Sequence, residues 1–101
     1  MALKSFAGND PEWDPAKAVS NFEKHGVDFH EAGTVFDDPL ATTFPDSAHS
    51  VDKLRYITIG LTASGRILVV VVAHTDRGEA IRLISARPAT PRERRFYKQG
   101  Q

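Results

Sequence analysis

Arginines in the last quarter of the chain have the types and spacing needed to bind phosphate groups. Arg82 and Arg87 lie in an apolar segment with the pattern of a strand, and a short, strongly basic segment follows almost directly. Thr90, Pro91 and Glu93 mark a helix start there, because a threonine cap, a proline at the first helical position and a glutamate three residues after the cap form a capping box. Guanidinium groups on a strand beside a basic helix predict a phosphate site. A solvated basic face is the alternative.

Two helices are predicted in the N-terminal half. Asp14 caps the first helix, and Gly26 ends it. Asp28 caps the second helix, with Glu31 three residues later in another capping-box arrangement. Pro39 ends this helix, because proline disfavours helical geometry in the residue before it. Both helices carry apolar residues at helical spacing, so each has one face to bury.

The C-terminal half is predicted to be mostly strand. The segment 67–72 is β-branched and apolar on both faces, which is typical of a central strand. The other predicted strands are 40–44, 54–59 and 80–87, and a terminal helix covers 90–98. This order predicts an α+β domain, in which N-terminal helices pack on a meandering antiparallel β-sheet that a C-terminal helix completes.

The two halves of the chain carry opposite net charges. The whole sequence is neutral, but residues 1–50 hold three lysines against nine acidic residues, for a net charge of −6. Residues 51–101 hold ten basic residues against four acidic ones, for a net charge of +6. This asymmetry indicates a polyanionic partner for the basic half. The other interpretation is that the two halves attract each other within one fold.

Length and composition exclude several classes of protein. The 101 residues are enough for one domain, so we expect a loosely held arm at 1–11 and a single domain at 12–101. The absence of cysteine excludes disulfides and thiolate catalysis, and the histidines lack ligand-like spacing, so no metal or other cofactor is expected. The longest apolar run, 67–73, is too short to span a bilayer, and no signal peptide is recognisable. We therefore expect a cytoplasmic protein with no membrane partner.

Three parts of the sequence carry motifs that are distinctive when they occur together and in this order. They are Glu-Trp-Asp-Pro-Ala-Lys (12–17) with Asn-Phe-Glu-Lys-His-Gly (21–26), Arg-Tyr-Ile-Thr-Ile-Gly (55–60) with Gly-Arg-Ile-Leu-Val-Val (65–70), and Arg-Leu-Ile-Ser-Ala-Arg (82–87) with Thr-Pro-Arg-Glu-Arg-Arg-Phe-Tyr (90–97). Lys-His-Gly and Ile-Ser-Ala-Arg are the most distinctive pieces. Together the three parts, which cover residues 12–97, resemble the BrnT family of toxins from type II toxin–antitoxin systems.

The resemblance implies a RelE-like fold and an endoribonuclease that inhibits translation by cleaving RNA. It also implies a small antitoxin partner, BrnA, which covers the toxin and carries a DNA-binding region. Operator DNA would then be contacted only indirectly, through the antitoxin. The segment 1–11 lies outside the resemblance.

Metal-independent RNA cleavage requires a group that stabilises the negative charge of the phosphorane. Arg87 is the first candidate because it ends the Ile-Ser-Ala-Arg motif, at the end of a strand. Arg66, which opens the central strand after a turn, is the second. The competing interpretation is that both arginines are tied to carboxylates of the acidic half.

The same reaction requires an acid and a base. His25 is the obvious candidate because histidine titrates near neutral pH, although it is also placed to cap the first helix. Lys24 beside it is interpreted either as a phosphate ligand or as a solvated charge. Glu93 is a candidate base, but the capping box already gives it a structural role.

The terminal helix supplies candidate RNA-binding residues. Tyr97 is placed either to stack on an unpaired base or to pack in the core. Arg82 is a weaker candidate, because it shares a predicted strand face with Ile84 and Ala86 and is equally well explained as an edge-facing charge. Contacts with RNA or with the antitoxin are expected from three arginines of the helix: Arg92, Arg94 and Arg95.

The leading hypothesis is therefore a metal-independent endoribonuclease toxin. Two alternatives keep the basic surface without catalysis. One is a catalytically silent partner that docks an antitoxin and assists repression of DNA. The other is a simple RNA-binding module, whose affinity would fall with salt but which would leave RNA intact.

Overall fold

The computed structural model describes residues 10–49, 54–63, 66–78 and 80–99. Its four strands form one antiparallel sheet in the order β1-β2-β3-β4. The elements in chain order are α1 (Pro15–His25), α2 (Phe29–Gly33), a 3₁₀ helix (Thr34–Asp37), β1 (Thr42–Pro45), a 3₁₀ helix (Ser47–His49), β2 (Tyr56–Leu61), β3 (Val69–Arg77), β4 (Ala80–Pro88) and α3 (Pro91–Gln99). The predicted α+β architecture is confirmed. Residues 1–9 of the predicted arm lie outside the described residues.

The predicted N-caps of both helices are confirmed, but two other predictions are wrong. Asp14 accepts a hydrogen bond from the Ala16 backbone N–H at 2.9 Å, and Gly26 ends α1 in the left-handed conformation at φ 72°. Asp28 caps α2 by accepting from the His30 N–H at 2.6 Å. The second helix does not continue to Pro39, because α2 ends at Gly33 and a 3₁₀ helix follows to Asp37. The other wrong prediction concerns Glu31, whose carboxylate accepts from the Arg66 backbone N–H at 3.0 Å, 35 residues away. The Glu31 carboxylate, which the sequence pattern assigned to a capping box, therefore makes a tertiary contact with Arg66 instead.

The helices cover both faces of the sheet. On one face, Val70 and Val72 of β3 pack with residues of α2 and its flanking segments, including Phe29 and Val35. On the other face, Val71 packs with Tyr97 of α3, together with Ile59 and Ala89. Strand β3 is thus buried on both sides, as predicted for the central strand. It extends to Arg77, beyond the predicted end at residue 72.

A β-bulge in β4 changes the predicted strand faces. The register between β3 and β4 shifts between Ala73 and His74, so that Ala86 pairs with Val72 but Leu83 pairs with His74. Ile84 is the extra residue. Both Leu83 and Ala86 belong to the core beneath α1 and α2, so Arg82 lies on the opposite face. The prediction that Arg82 and Ala86 share a face is wrong, because a bulge interrupts strand alternation.

Asn21 fastens α1 to the edge of the sheet. Its buried side-chain amide donates to the carbonyls of Val27 and Ala86 at 3.0 and 2.9 Å, and its Oδ1 accepts from the Ala86 N–H at 3.0 Å. One side chain therefore satisfies both backbone groups of a residue in the edge strand β4. It also fixes the position of the α1 C-terminus against that strand.

His74 is a buried histidine in the core. Its Nε2 lies 2.8 Å from the Thr58 hydroxyl, and its ring stacks on Tyr56 and meets Phe36 edge to face. Burial lowers the pKa of His74 to about 4, against a smaller opposing effect of Asp76. The histidine is therefore neutral in the folded protein at physiological pH.

We expect acid to destabilise the fold through His74. The folded-state pKa lies below the unfolded value of 6.5, so the unfolded chain binds the proton more tightly. Stability is unaffected above pH 6.5 and falls as the pH decreases towards 4. Urea unfolding at pH 7.5 and 4.5 is expected to show a loss of about 2–3 kcal/mol from this group. In His74→Gln, the difference in unfolding free energy between pH 7.5 and pH 4.5 is expected to be smaller by that amount. An unchanged difference would contradict this account.

No helix among the described residues has both the length and the apolar character needed to cross a membrane.

Candidate active site

The best-defined polar site lies where β4 meets α3. Arg87, near the end of β4, donates from Nη1 and Nη2 to the two carboxylate oxygens of Glu93 at 2.7 and 2.9 Å. Glu93 Oε1 also accepts from the Thr90 N–H at 2.8 Å, and the Thr90 hydroxyl accepts from the Glu93 N–H at 3.1 Å. The predicted capping box is confirmed. The same carboxylate that starts α3 therefore orients the Arg87 guanidinium, whose side chain remains 41% exposed.

These contacts determine the charge states of the pair. The hydrogen bonds from Arg87 lower the pKa of Glu93 to about 2, against a smaller opposing effect of burial. The same bonds raise the pKa of Arg87 above its ordinary value. A carboxylate with so low a pKa is a weak proton acceptor at neutral pH. Glu93 is therefore suited to position Arg87 rather than to act as a general base.

Arg66 lies just before β3, beside the C-terminal end of α1. Its Nη2 donates to the Gly26 carbonyl at 2.6 Å and lies 3.4 Å from Glu31 Oε1. The Glu31 side chain is largely buried, whereas the Arg66 side chain is 59% exposed. Arg66 thus combines an anchored end with an accessible surface, which is the arrangement needed to contact an anion.

His25 and Lys24 lie at the end of α1, along the outer edge of β4. They line a shallow depression of about 150 Å³, together with three other α1 residues and two residues of the β4 bulge: Lys17, Ser20, Asn21, Ile84 and Ser85. His25 is half-buried and Lys24 is exposed. Two lysines and a histidine beside a small polar depression form a surface that is suited to a phosphate group.

The fold brings three of the predicted site residues to the same end of the sheet. Arg66 contacts the carbonyl of Gly26, which follows His25. Asn21 joins α1 to Ala86, which precedes Arg87. His25 and Arg66 lie on the side of α1 and α2, whereas Arg87 pairs with Val71 on the side of α3. The three residues therefore approach this end from both faces.

Ion pairs join the basic half of the chain to the acidic half, as the second interpretation of the charge asymmetry predicts. Three arginines of the basic half lie within 4.0 Å of carboxylates of the acidic half, in the pairs Arg55–Asp46, Arg66–Glu31 and Arg82–Glu12. The predicted alternative for Arg66, a carboxylate of the acidic half, is thus observed. Arg87 is also paired, but with Glu93 of its own half. Helix α3 takes no part in the three pairs between the halves.

The basic helix α3 turns one aromatic ring inward and one outward. Tyr97 is only 5% exposed and donates its hydroxyl to Asp38 Oδ2 at 2.6 Å. Burial and this bond raise the pKa of Tyr97 to about 12. Of its two predicted roles, core packing is therefore the observed one. Phe96 is instead the exposed aromatic residue, at 47%.

The three arginines of α3 are not equivalent. Arg94 donates to the Ala89 carbonyl at 2.9 Å, which secures the start of the helix. Arg92 and Arg95 are exposed, and among the described residues no hydrogen bond or ion pair engages either guanidinium. Arg92 and Arg95 are therefore accessible cations of this surface, together with the exposed Lys98.

Some residues that organise the site were missed by the sequence analysis. Asp38 accepts from both the Tyr97 hydroxyl and the Leu61 N–H, and so joins α3 to β2. Asn21 determines where the α1 C-terminus meets β4. Asp38 belongs to no motif. Asn21 opens the Asn-Phe-Glu-Lys-His-Gly segment of the resemblance (21–26), but the resemblance implied no role for it. Over the described ranges, no group of three or more His, Cys, Asp or Glu residues is placed to hold a metal ion.

Comparison with known proteins indicates one family. The model of the family described as "Ribonuclease toxin, BrnT, of type II toxin-antitoxin system" matches residues 13–93. The crystal structure of the Brucella abortus ribonuclease toxin BrnT is similar to this fold with a TM-score of 0.63 and 27% sequence identity. That match covers 81% of this chain and 97% of the Brucella chain. The comparison with curated protein sequences finds no match.

The family match covers the whole site, from the helices that carry His25 and Glu31 to the Arg87–Glu93 pair. The chain belongs to the BrnT family of ribonuclease toxins of type II toxin–antitoxin systems.

Proposed function

We propose that this chain is a metal-independent endoribonuclease that inhibits translation by cleaving RNA. The observation that carries the proposal is the Arg87 guanidinium, which is held at two points by Glu93 at the junction of β4 with a basic helix and is still accessible to solvent. A preorganised guanidinium stabilises developing negative charge on a phosphate without needing to be reoriented during the reaction. Membership of a ribonuclease toxin family supports the same reaction class.

The proposal divides the chemical roles among the predicted residues. Arg87 stabilises the phosphorane, and Glu93 acts by positioning Arg87. Arg66 lies on the other face of the sheet and binds a neighbouring phosphate of the same RNA strand. His25 is the candidate for proton transfer, because it is half-buried beside Lys24 at the same end of the sheet. The reaction begins when the 2′-hydroxyl loses its proton and attacks the adjacent phosphorus. The bond to the 5′-oxygen then breaks and that oxygen receives a proton, which leaves a 2′,3′-cyclic phosphate and a 5′-hydroxyl.

The partner in this proposal is a BrnA-like antitoxin in the cytoplasm. Type II toxins are neutralised by a protein, and family membership therefore implies such a partner. Contact with operator DNA would occur only through the antitoxin. The antitoxin would be expected to cover the Arg87 surface, since this would block access of RNA.

A second candidate function is RNA binding without cleavage. The observation that favours it is that both proposed phosphate-binding guanidiniums are already paired with carboxylates. A ligand phosphate must then compete with Glu31 or Glu93 for each arginine. This candidate keeps the salt-dependent affinity for RNA but forms no fragments.

End analysis of RNA fragments distinguishes the two functions. Purified protein is incubated with 5′-labelled single-stranded RNA in EDTA, and the products are analysed by mass spectrometry. The proposal predicts internal cleavage that leaves 2′,3′-cyclic phosphate ends. Intact RNA in EDTA together with salt-sensitive binding would support the second candidate. Cleavage that appears only after Mg²⁺ is added would contradict metal independence.

A further inference from the structure

Phe44 and Phe96 form an exposed aromatic pair next to the basic helix. Phe44 lies on the edge strand β1 and Phe96 on α3, and their ring centroids are 6.4 Å apart at an interplanar angle of 79°. Their residues are 37% and 47% exposed. In an edge-to-face pair, one ring points its edge at the flat face of the other, so its partner covers neither face of the first ring. The pair therefore offers an aromatic face to a ligand.

The charges around this pair favour an anionic ligand. Arg92 precedes Phe96 by four residues, so the two side chains are neighbours on the helix surface. Arg95 points about 100° away around the helix, where it is placed to contact a phosphate further along a nucleic acid strand. Two nearby carboxylates are already engaged, Asp38 with the Tyr97 hydroxyl and Glu93 with Arg87. An accessible aromatic ring beside accessible guanidiniums matches a nucleotide, which has a flat base and a negative phosphate.

We propose that Phe44 and Phe96 form a stacking platform for an unpaired RNA base, with the neighbouring phosphates bound by Arg92 and Arg95. The proposal rests on the proposed function, since it takes RNA as the ligand, and it assigns single-stranded RNA as the substrate class. A duplex buries its base faces, so a platform of this kind accepts only unpaired bases. Phe96 takes the role that the sequence analysis considered for Tyr97.

Phe96 of the platform and Glu93 of the Arg87–Glu93 pair lie on the same helix, α3. Glu93 and Phe96 are three residues apart, or about 4.5 Å along the helix axis. An RNA strand that follows α3 can therefore place one base on the platform while a phosphate close to that base reaches Arg87. The platform would then determine which phosphodiester bond is presented for cleavage.

The test measures binding separately from cleavage. The ligand is a single-stranded oligonucleotide with 2′-O-methyl groups throughout, which lacks the attacking hydroxyl, and with one 2-aminopurine, whose fluorescence decreases on stacking. Phe96→Ala is expected to raise the Kd by about fivefold to a hundredfold and to remove the fluorescence decrease. Phe96→Tyr, which keeps an aromatic face, is expected to bind within about twofold of the original protein.

Phe22→Ala is the matched control, because Phe22 is an exposed phenylalanine of α1 that lies outside the proposed platform. It is expected to leave the Kd unchanged. Arg92→Ala is expected to weaken binding and to reduce the slope of log K against log salt by about 0.7. The same oligonucleotide annealed to its complement is expected to show no fluorescence decrease.

Three results would overturn the platform. One is an unchanged Kd for Phe96→Ala, and another is binding by Phe96→Tyr that is as weak as binding by Phe96→Ala. The third is a Phe96→Ala variant that binds RNA as tightly as the original protein but whose toxicity a co-expressed antitoxin no longer neutralises. That result would make the pair a protein interface. Because the oligonucleotide cannot be cleaved, a failure of the nuclease proposal is detected separately, by intact natural RNA in EDTA.

Discussion

Arg87→Ala is expected to abolish growth arrest and to lower the rate of RNA cleavage by about 10²–10³-fold. The physical reason is that a guanidinium fixed by two hydrogen bonds stabilises the phosphorane in a way that water cannot replace. The fold is expected to survive, because a partly exposed ion pair contributes only about 1 kcal/mol. Glu93 still accepts from the Thr90 N–H in this variant, so the start of α3 keeps its cap.

Glu93→Gln is the matched control for Arg87→Ala. It removes the same ion pair but leaves the guanidinium in place, and glutamine also completes a capping box. Both variants are expected to lose similar stability in urea unfolding, but Glu93→Gln is expected to lose less than about tenfold in cleavage rate, because its arginine is only less well oriented. If the two variants lost activity equally, Arg87 would act through the structure of the helix junction rather than on the phosphate.

Asn21→Asp is expected to cause the largest loss of stability, about 3 kcal/mol or more at pH 7. The substitution hardly changes the shape of the side chain. It replaces an amide that donates to the Val27 and Ala86 carbonyls with a carboxylate that cannot donate. Two carbonyl oxygens then lose their hydrogen-bond donor and face a buried negative charge, which is costly because Asn21 itself is only 6% exposed.

Urea unfolding of Asn21→Asp, at pH 7 and at pH 5, checks this expectation. The difference in stability from the original protein at the same pH is expected to shrink at pH 5, because burial beside carbonyls favours the protonated carboxyl, which can donate one hydrogen bond. Comparison at equal pH cancels the loss expected from His74. Ser20→Asp places the same charge one residue away on the exposed side of α1, and it is expected to change stability by less than about 0.5 kcal/mol. Equal losses in the two variants would show that the three Asn21 hydrogen bonds contribute little.

Local features of the sequence predicted most of the fold. Asp14, Asp28 and the Thr90–Glu93 box all act through hydrogen bonds within three residues, so their patterns are visible without tertiary information. The run of β-branched apolar residues in β3 likewise predicts that this strand is buried on both faces. Glu31 shows the limit of such patterns, because it fits a capping box equally well but is used by Arg66, 35 residues away.

Features that depend on packing could not be predicted from single residues. Phe96 and Tyr97 are adjacent and both aromatic, so tertiary contacts decide which ring turns inward. Tyr97 packs with Ile59 and Val71 and donates to Asp38. The bulge at Ile84 has no turn residue to mark it, and it places Arg82 on the opposite face from Ala86. Pairing of Arg66 and Arg87 with carboxylates of the acidic half was an open alternative, because composition gives the charges but not the distances between them. Arg66 does pair with Glu31 of that half, whereas Arg87 pairs with Glu93 of its own half.

A single-turnover cleavage assay in EDTA tests the role of Arg87 most directly. The original protein, Glu93→Gln and Arg87→Ala are compared at saturating concentration on one labelled RNA, with folding verified for each variant. We predict 2′,3′-cyclic phosphate products from the first two proteins and a rate at least about a hundredfold lower for Arg87→Ala. Cleavage by Arg87→Ala at the rate of Glu93→Gln would contradict the assignment of this guanidinium to the transition state.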